Sequence, residues 1–408
     1  MSRPGTTAAA ATPETALDIL IVGGGPVGAC VGTLLARTAT RPLAVGVLEP
    51  SPQPAIAPDD TRIDARVSAF SRASERVFER TGAWQAIRPF ANPYERMRVW
   101  HEHTAAHGDG GLVFDAADAG EANLGYVIEN RRVTVALLRQ FGLAGGQLIQ
   151  AGFQSLTASA SRIHVTTTSG TFTAKLVVGA DGARSAVRTA AGMAVKADSY
   201  GQTAIVARIR GERPHQDSCW QRFLKAGTLA FLPLADGATS IVWSVSEDQA
   251  RHLLALTPED FTRELRLQSD DALGALTLDS ERSAFPLQRL KARQYTSPRI
   301  ALIGDAAHVV HPLAGQGVNL GLQDAAVLAD LVAQASAGGE DPGAYGVLRA
   351  YERARKADNE LMDAAIDGFN RFLAHGAGPV SQLARGGLRL VNRSTLLKRF
   401  FIEQALGS

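Results

Sequence analysis

Residues 17–28 read LDILIVGGGPVG, a short aliphatic run followed at once by a cluster of glycines. The run predicts a buried strand, and the apolar residues behind the glycines recur with the period of a helix from about Pro26 to Thr38. Together they form the G-x-G-x-x-G pattern of a dinucleotide-binding strand, turn and helix. Gly23 permits the tight turn, Gly25 lets a diphosphate approach the backbone, and Gly28 lets the helix pack on the strand.

A second predicted strand, Leu43–Leu48, ends at Glu49, which follows Gly28 at the interval expected for a ribose-binding acid. An acid at this position favours an adenosine ribose without a 2′-phosphate. The start of the helix, around Pro26 and Val27, would present free backbone N–H groups to the phosphates. The pattern therefore predicts a bound dinucleotide and leaves open whether it is NAD or FAD.

The same stretch also imitates a membrane span, because residues 19–36 carry no charge and are long enough to cross a bilayer. Several glycines and Pro26 interrupt it, however, and they follow the aliphatic run as a turn would. A buried strand, turn and helix explains both the hydropathy and the glycines. We therefore interpret the stretch as part of a globular domain.

Length, charge and cysteine content limit the classes of protein to which this chain can belong. A chain of 408 residues and 43.1 kDa is long enough for two or three domains. The formal net charge of +2 gives no general attraction for nucleic acid. The two cysteines, Cys30 and Cys219, cannot form a disulfide framework, and buried thiols in a reducing compartment are expected. The sequence thus predicts a cytoplasmic globular protein.

Two later motifs carry further information about the ligand. Residues 176–188 read LVVGADGARSAVR, and residues 299–308 read RIALIGDAAH. Each predicts a buried strand that runs into a turn containing Gly and Asp. Residues 312–317, PLAGQG, follow the second motif and precede a predicted helix of about Val318–Ala335. No second complete G-x-G-x-x-G occurs in the chain.

These motifs resemble those of the class A flavoprotein monooxygenases, the aromatic-ring hydroxylases, and most of all the ubiquinone-biosynthesis hydroxylases. Residues 304–308, GDAAH, and 311–324, HPLAGQGVNLGLQD, are close to that subfamily's signature. The likeness runs from about Leu17 to Gly407. It implies an α/β fold in which a Rossmann-like FAD-binding domain, like that of para-hydroxybenzoate hydroxylase, is interleaved with a mostly antiparallel β-sheet substrate domain.

The resemblance also implies a division of the chain. The expected parts are a discontinuous FAD-binding domain (17–95, 124–198 and 289–345), a substrate-binding sheet (96–123 and 199–288) and a helical C-terminal segment (346–408). Residues 1–16 lie outside the resemblance, and their Ala-, Thr- and Pro-rich composition predicts a disordered lead-in.

The resemblance assigns roles to individual residues. Asp305 would bind the ribityl chain of FAD, with a helix N-cap as the alternative, and Asp181-Gly182 would lie near the diphosphate, with a plain turn as the alternative. Arg66 would reach the FAD phosphates unless it is a surface arginine, and Asn130 would contact the ribityl chain unless it is structural. The backbone of Pro312, Gly315 and Gly317 would face the flavin ring and take part in catalysis. Further cofactor contacts are expected at Gly304, Gln316, Val318 and Asn319.

The family's chemistry follows from the same resemblance. FAD has the dedicated site, and NADH or NADPH binds transiently to deliver hydride. Reaction with O2 then gives a flavin C4a-hydroperoxide that hydroxylates a polyprenylphenol. No metal is expected, because the histidines form no zinc-binding pattern. The alternatives are a hydroxylase of a soluble phenol, an enzyme of the same fold that reduces or halogenates, and a flavin-binding structural subunit of a quinone-synthesis complex.

Substrate contacts and membrane contacts are the least specified by sequence. Phe231, Pro233 and Trp243 are candidate substrate residues, with a place in the core as the alternative. After Asp367 no acid occurs until Glu403, and six basic residues alternate with apolar ones. This tail would bind the inner face of the cytoplasmic membrane, which suits a prenylated substrate, or would dock on the body or on another subunit of a homo-oligomer. The six basic residues are Arg371, Arg385, Arg389, Arg393, Lys398 and Arg399.

Overall fold

The opening aliphatic run predicts a strand that is buried on both faces, and such strands are typical of a parallel sheet.

A computed structural model describes residues 15–38, 40–53, 56, 64, 66–107, 111–225, 227–311 and 316–374. Its strands, in chain order, are β1 Thr15–Val22, β2 Val45–Leu48, β3 Val67–Ser71, β4 Asn92–Tyr94, β5 Arg96–His101, β6 Leu112–Asp115, β7 Gly125–Glu129, β8 Gln147–Ile149, β9 Phe153–Ala158, β10 Ile163–Thr167, β11 Gly170–Gly179, β12 Val195–Gly211, β13 Ser218–Leu224, β14 Gly227–Pro233, β15 Thr239–Ser246, β16 Leu276–Leu278, β17 Ser283–Ala292, β18 Thr296–Ser297, β19 Ile300–Leu302 and β20 His308–Val309.

The helices of the described residues, in chain order, are α1 Pro26–Thr38, α2 Arg72–Thr81, α3 Trp84–Ile87, α4 Asn130–Leu143, α5 Ala186–Ala190, α6 Glu247–Ala255, α7 Pro258–Gln268, α8 Gln316–Ala337 and α9 Tyr345–Ala374. The helix predicted behind the first glycine motif is confirmed with the same bounds as α1. The one predicted at about 318–335 is confirmed within α8. Short 3-10 turns cover Arg88–Phe90, Ala116–Ala119 and Gly304–Ala306.

The first sheet has the order β18-β19-β11-β1-β2-β8, and β10 continues it from β11 to β9. Strands β19, β11, β1, β2 and β8 all run parallel. Ile19 and Ile21 of β1 are fully buried and share one hydrophobic core with α1, α4 and α8. The carboxyl ends of these parallel strands therefore lie along one edge, which is where such sheets bind ligands.

The second sheet has the order β20-β17-β12-β15-β14-β13-β5-β6, with β16 also paired to β12. It is mostly antiparallel, as predicted, and the parallel pairing of β13 with β5 is the exception among its described strands. Phe261 and Leu265 of α7 and Leu253 of α6 bury one face of this sheet. A small third sheet, β3-β7-β4, completes the fold.

The three predicted substrate residues are all buried. Phe231 and Trp243 are 0% exposed and belong to the core between the second sheet and α6 and α7. The Trp243 ring packs on Phe261 at 5.9 Å between centroids. Both aromatics therefore occupy the place in the core that sequence left as the alternative, and their contact with substrate stays a prediction that this placement does not favour. Pro233 is buried at the end of β14, and its carbonyl accepts a hydrogen bond from Asn92 at 3.3 Å.

The strands run past the boundaries expected from the resemblance. β1 begins at Thr15, inside the predicted disordered lead-in of residues 1–16. β12 begins at Val195, before the expected start of the substrate sheet at 199, and β17 continues past 289 to Ala292. β20 also joins the second sheet, so the chain passes between the two sheets immediately before the predicted flavin loop.

The C-terminal segment is described as far as Ala374, within α9. Most of the predicted basic tail, from Arg385 to Arg399, lies outside the described residues. None of the helices in the described ranges is both long and apolar enough to cross a membrane. Cys30 and Cys219 are buried and unbridged, and burial raises the pKa of the Cys30 thiol to about 12.

Candidate functional site

The parallel sheet brings the three sequence motifs to one place. Val22, at the end of β1, pairs with Leu48 of β2 and with Gly179 of β11, and Gly179 pairs with Leu302 of β19. The glycine turn, Glu49, the Asp181 turn and the Gly304-Asp305 turn therefore follow neighbouring strand ends. They form one cleft at the carboxyl edge of the sheet, the position at which open α/β sheets bind nucleotides.

The glycines of the first motif divide into packed and open positions. A Cβ on Gly28 would lie 1.9 Å from the carbonyl oxygen of Gly23, and one on Gly23 would lie 2.4 Å from that of Ala180. A Cβ on Gly25 would meet nothing within 4 Å among the described residues beyond its chain neighbours. Gly23 and Gly28 are thus fixed by packing, whereas Gly25 borders open space in the cleft.

Glu49 is held against this glycine turn. The backbone N–H of Gly24 donates to its Oε2 at 2.8 Å, and the N–H of Ser51 donates to Oε1 at 3.0 Å. Because the side chain is half-buried between these donors, its position at the end of β2 is fixed. The ribose contact expected of Glu49 stays a prediction that this placement favours.

Arg66 and Asn130 meet, although they are far apart in sequence. The backbone N–H of Asn130 donates to the Arg66 carbonyl oxygen at 3.1 Å, because β3 and β7 pair antiparallel. The Arg66 side chain is exposed. The Asn130 Oδ1 atom is buried and has no hydrogen-bond partner among the described residues. An unsatisfied amide oxygen of this kind suits a hydroxyl donor from a ligand.

The two carboxylate oxygens of Asp181 differ in their hydrogen bonds. Its Oδ2 accepts hydrogen bonds from the backbone N–H groups of Ala186 at 2.7 Å and Val187 at 3.1 Å, which caps the short helix α5. Its Oδ1 is buried without a partner in the described part of the chain. Gly182 next to it has φ +78°, a conformation that favours glycine. The turn proposed as an alternative is therefore present, and one carboxylate oxygen is left over for a ligand.

Asp305 lies in the middle of the Gly304–Ala306 turn, so it is not the N-cap that sequence left as an alternative. Its side chain is exposed, yet enough protein surrounds it that desolvation raises the pKa of the carboxyl group, with His308 opposing this shift. This combination is expected of a carboxylate at the bottom of a cleft. Such a group gains a hydrogen-bond donor when a ligand binds.

The remaining predicted cofactor residues differ in whether their side chains can contact a ligand. The Asn319 side chain is 5% exposed, and its amide is used within the protein by Ala69, Ser71 and Ser74, so only its backbone is left for a cofactor. The Val27 side chain packs against glycines of the Gly304 turn and of α8. Half-buried Gln316, Gly317 and Val318 start α8, whereas Pro312 and Gly315 lie outside the described residues.

One face of the second sheet contacts His311, and sequence reasoning named no residue of this face as a site residue. Gln202 Oε1 lies 3.5 Å from Nε2 of His311, the residue before the predicted flavin loop. Because side chains alternate along a strand, Ala204 shares the face of Gln202. Ala204 pairs with Ser244 of β15, whose hydroxyl is buried without a partner among the described residues. This face lies opposite the core that contains Trp243.

The donor and acceptor set fits FAD. The unsatisfied buried oxygens of Asp181 and Asn130 and the exposed carboxylate of Asp305 suit the many hydroxyl groups of a ribityl chain and ribose, and the open space at Gly25 suits a diphosphate. The start of α8 at Gln316 would favour negative charge on a flavin ring. These groups are unfavourable without a partner and become satisfied when such a cofactor binds.

Comparisons with known proteins agree with this cleft. A family model described as an FAD binding domain matches residues 16–362. Ubiquinone hydroxylase UbiL of Rhodospirillum rubrum is 38% identical over 399 residues, which cover 96% of this chain and 90% of that protein. The 3-demethoxyubiquinol 3-hydroxylase of Escherichia coli is 36% identical over 403 residues, covering 96% and 98%. The solved structure of PqsL, a probable FAD-dependent monooxygenase from Pseudomonas aeruginosa, shares the fold, with a TM-score of 0.74 at 24% identity over 92% of this chain and 99% of that one.

The open space at Gly25 leads to a prediction. Gly25→Ala should leave the apoprotein folded, with a loss of at most about 1 kcal/mol for an alanine at the start of α1. FAD affinity should fall at least about tenfold, because the new methyl group occupies space that the diphosphate needs. Gly142→Ala in α4, where a Cβ also meets no described neighbour, is the matched control and should bind FAD normally. Equal FAD affinity in both variants would contradict the assignment.

Asp305 gives a prediction of opposite effects on stability and binding. Burial raises its pKa above the value in the unfolded chain, so the ionised carboxylate destabilises the folded apoprotein at pH values above both. Asp305→Asn should therefore raise the apoprotein Tm at neutral pH, and this gain should vanish as the pH falls through the raised pKa. The same change should weaken FAD binding. Thermal unfolding across pH and fluorescence titration with FAD measure the two effects, and a lower Tm at neutral pH would refute the prediction.

Proposed function

This chain belongs to the family of FAD-dependent aromatic-ring monooxygenases of ubiquinone biosynthesis, and we propose that it hydroxylates the ring of a polyprenylphenol. NAD(P)H and O2 are the co-substrates of this class. The observation that supports the proposal is the FAD-type cleft together with a sheet face that carries Val206, Val242 and Ala230 and that reaches His311 through Gln202. We infer that the substrate surface adjoins the cofactor site.

The residues around the cleft would share the work of holding the cofactor. Gly25 leaves room for the diphosphate, Glu49 lies where the adenosine ribose is expected, and Asp305 and Asn130 offer acceptors to the ribityl chain. Bound FAD would supply the redox chemistry with O2, which no protein side chain provides. The protein's part is to orient the substrate and to exclude water from the reacting atoms.

The sheet face that carries Ser244 suits a phenol. Val206 and Ala230 both pair with Val242, so these three apolar side chains lie side by side across β12, β15 and β14. Val242 and Ala230 are half-buried, which leaves part of each side chain accessible. An aromatic ring could pack on this surface, and the unpartnered Ser244 hydroxyl could bind the phenolic oxygen. Few precisely placed polar groups in an apolar pocket are typical of a small-molecule site.

A prenylated substrate determines where in the cell the enzyme would meet it. A polyprenyl chain partitions into the bilayer, so the proposal includes a cytoplasmic protein that meets its substrate at the inner face of the membrane. Contact with other quinone-biosynthesis proteins and a homo-oligomeric state stay predictions of the sequence. These contacts are separate from the chemistry of the cleft.

Turnover tests the proposal directly. The purified protein, loaded with FAD, should oxidise NAD(P)H faster when a short-chain prenylphenol is added, and mass spectrometry should find a product that contains one more oxygen atom. An unprenylated phenol should stimulate less, because it lacks the apolar chain. Stimulation by the unprenylated phenol alone would indicate a hydroxylase of soluble substrates. FAD binding without phenol-dependent oxidation would indicate a structural subunit.

The substrate face gives a second prediction. Val242→Phe should lower kcat/KM for the phenol at least about tenfold, because the larger ring fills the surface on which the substrate packs. FAD affinity should stay unchanged. Val195→Phe is the matched control, since Val195 is 38% exposed on the same sheet and pairs with Ala292 far from Ser244. Equal kinetics for the two variants would place the substrate elsewhere.

A further inference from the structure

The turn that carries Asp305 is held from behind by the protein. Asp305 lies between Gly304 and Ala306, and this turn continues into His308. Arg188 of α5 donates through Nη1 to the Ala306 carbonyl oxygen at 2.8 Å. Gly304 has φ +56°, a left-handed conformation that favours glycine, and the Arg188 hydrogen bond supports the turn from behind. The direction of the Asp305 carboxylate depends on that support.

Asp324 of α8 provides the other part of this support. Its Oδ2 accepts a hydrogen bond from the backbone N–H of Gly304 at 3.1 Å and lies 2.6 Å from Nε2 of His308. A carboxylate only accepts, so His308 carries its proton on Nε2 and donates it. Asp324 is 0% exposed and has no contact with the open cleft. It therefore acts on the cofactor site only through the turn.

Helix α9 fixes Asp324 from the opposite side. Arg355 donates from Nε to Oδ1 of Asp324 at 2.8 Å, and Asn359 donates from Nδ2 to the same oxygen at 3.0 Å. Arg355 also donates from Nη2 to the Asn359 amide oxygen at 2.8 Å. Both side chains are less than a tenth exposed. The carboxylate is thus locked in orientation by two helices and the turn.

We propose that Asp324 is a positioning residue of the FAD site: through Gly304 and His308 it aims Asp305 into the cleft, and through Arg355 and Asn359 it makes α9 part of that site. The inference rests on the FAD binding of the proposed function. The inference is tested by measuring FAD affinity, and this measurement needs no phenol. It can therefore be tested even if the wild-type protein binds FAD and does not hydroxylate a phenol.

Asp324→Asn is the central variant, because it keeps size and shape but presents an amide to groups that donate. The amide oxygen of the new Asn can accept a hydrogen bond from the Arg355 side or from the Gly304 side. Its NH2 group then faces hydrogen-bond donors on the other side, where no hydrogen bond can form. FAD affinity, measured well below the Tm of the variant, should fall at least about tenfold. The visible circular dichroism of bound FAD at saturation should also change. Asp330→Asn, the same change at an exposed ion pair on α8, is the matched control and should alter neither.

A double variant separates positioning from simple packing. In an Asp305→Asn background, Asp324→Asn should cost less than about threefold in FAD affinity, because the group that it positions is already neutral. An undiminished tenfold loss in that background would overturn the proposal. So would a lowered apoprotein Tm with unchanged FAD affinity and spectrum, which is the result expected of a purely structural residue.

A milder variant covers the case in which Asp324→Asn does not fold. Asn359→Ser removes the amide that donates to Asp324 and accepts from Arg355, and it leaves the ion pair between Arg355 and Asp324 in place. It should weaken FAD binding about threefold, and this loss should again shrink in the Asp305→Asn background. FAD affinity within experimental error of wild type in a folded Asn359→Ser protein would overturn the coupling of α9 to the site.

Discussion

The fully buried carboxylate of Asp324 is the constraint on which the cleft depends. Burial alone would raise its pKa, but His308, Arg355 and Asn359 outweigh that effect and lower the pKa. A buried charge that lost its partners would destabilise the protein by several kcal/mol. Helices α8 and α9 and the turn after β19 therefore have to be in place together. The edge of the parallel sheet that binds the cofactor is thereby tied to a helix distant in sequence.

Some polar groups of the cleft differ from Asp324 in having oxygens without a hydrogen-bond partner among the described residues. Asp324 has donors on both oxygens, whereas Asp181 and Asn130 each keep a buried oxygen without a partner in the described chain, and desolvation raises the pKa of Asp305. Each of these groups is less favourable in the apoprotein than in water. A ligand rich in hydroxyl groups removes that penalty when it binds. Among the described turns at the cleft, the satisfied carboxylate of Asp324 hydrogen-bonds only to the Gly304 turn. The positioning that we propose therefore concerns Asp305, whereas Asp181 and Asn130 are held by hydrogen bonds of their own.

How much could be predicted depends on whether the signal is local. Helix α1 matched its predicted bounds because glycines and an aliphatic run determine the strand, turn and helix over a few residues. Asp305 was recognised from the family motif, but its neighbour Asp324 received no role, although it ends the same quoted signature. Its partners Arg355 and Asn359 come from another helix, and only the fold brings them together. For the same reason the sequence did not show that β12 begins before 199 and that β17 continues past 289, since the pairing of these two strands sets their length.

The placement of Trp243 in the core has a different physical origin. A strand alternates its side chains between two faces, so residues 242–244 must place Trp243 on one face and both neighbours on the other. The sequence shows this alternation but not which face α6 and α7 cover. Large aromatics suggested ligand contact, yet their size is what closes the core against those helices. Substitutions at Trp243 therefore act on stability, whereas the half-buried Val242 on the opposite face can change with less effect on that core, so under the proposed function substrate preference would evolve there without unfolding the sheet.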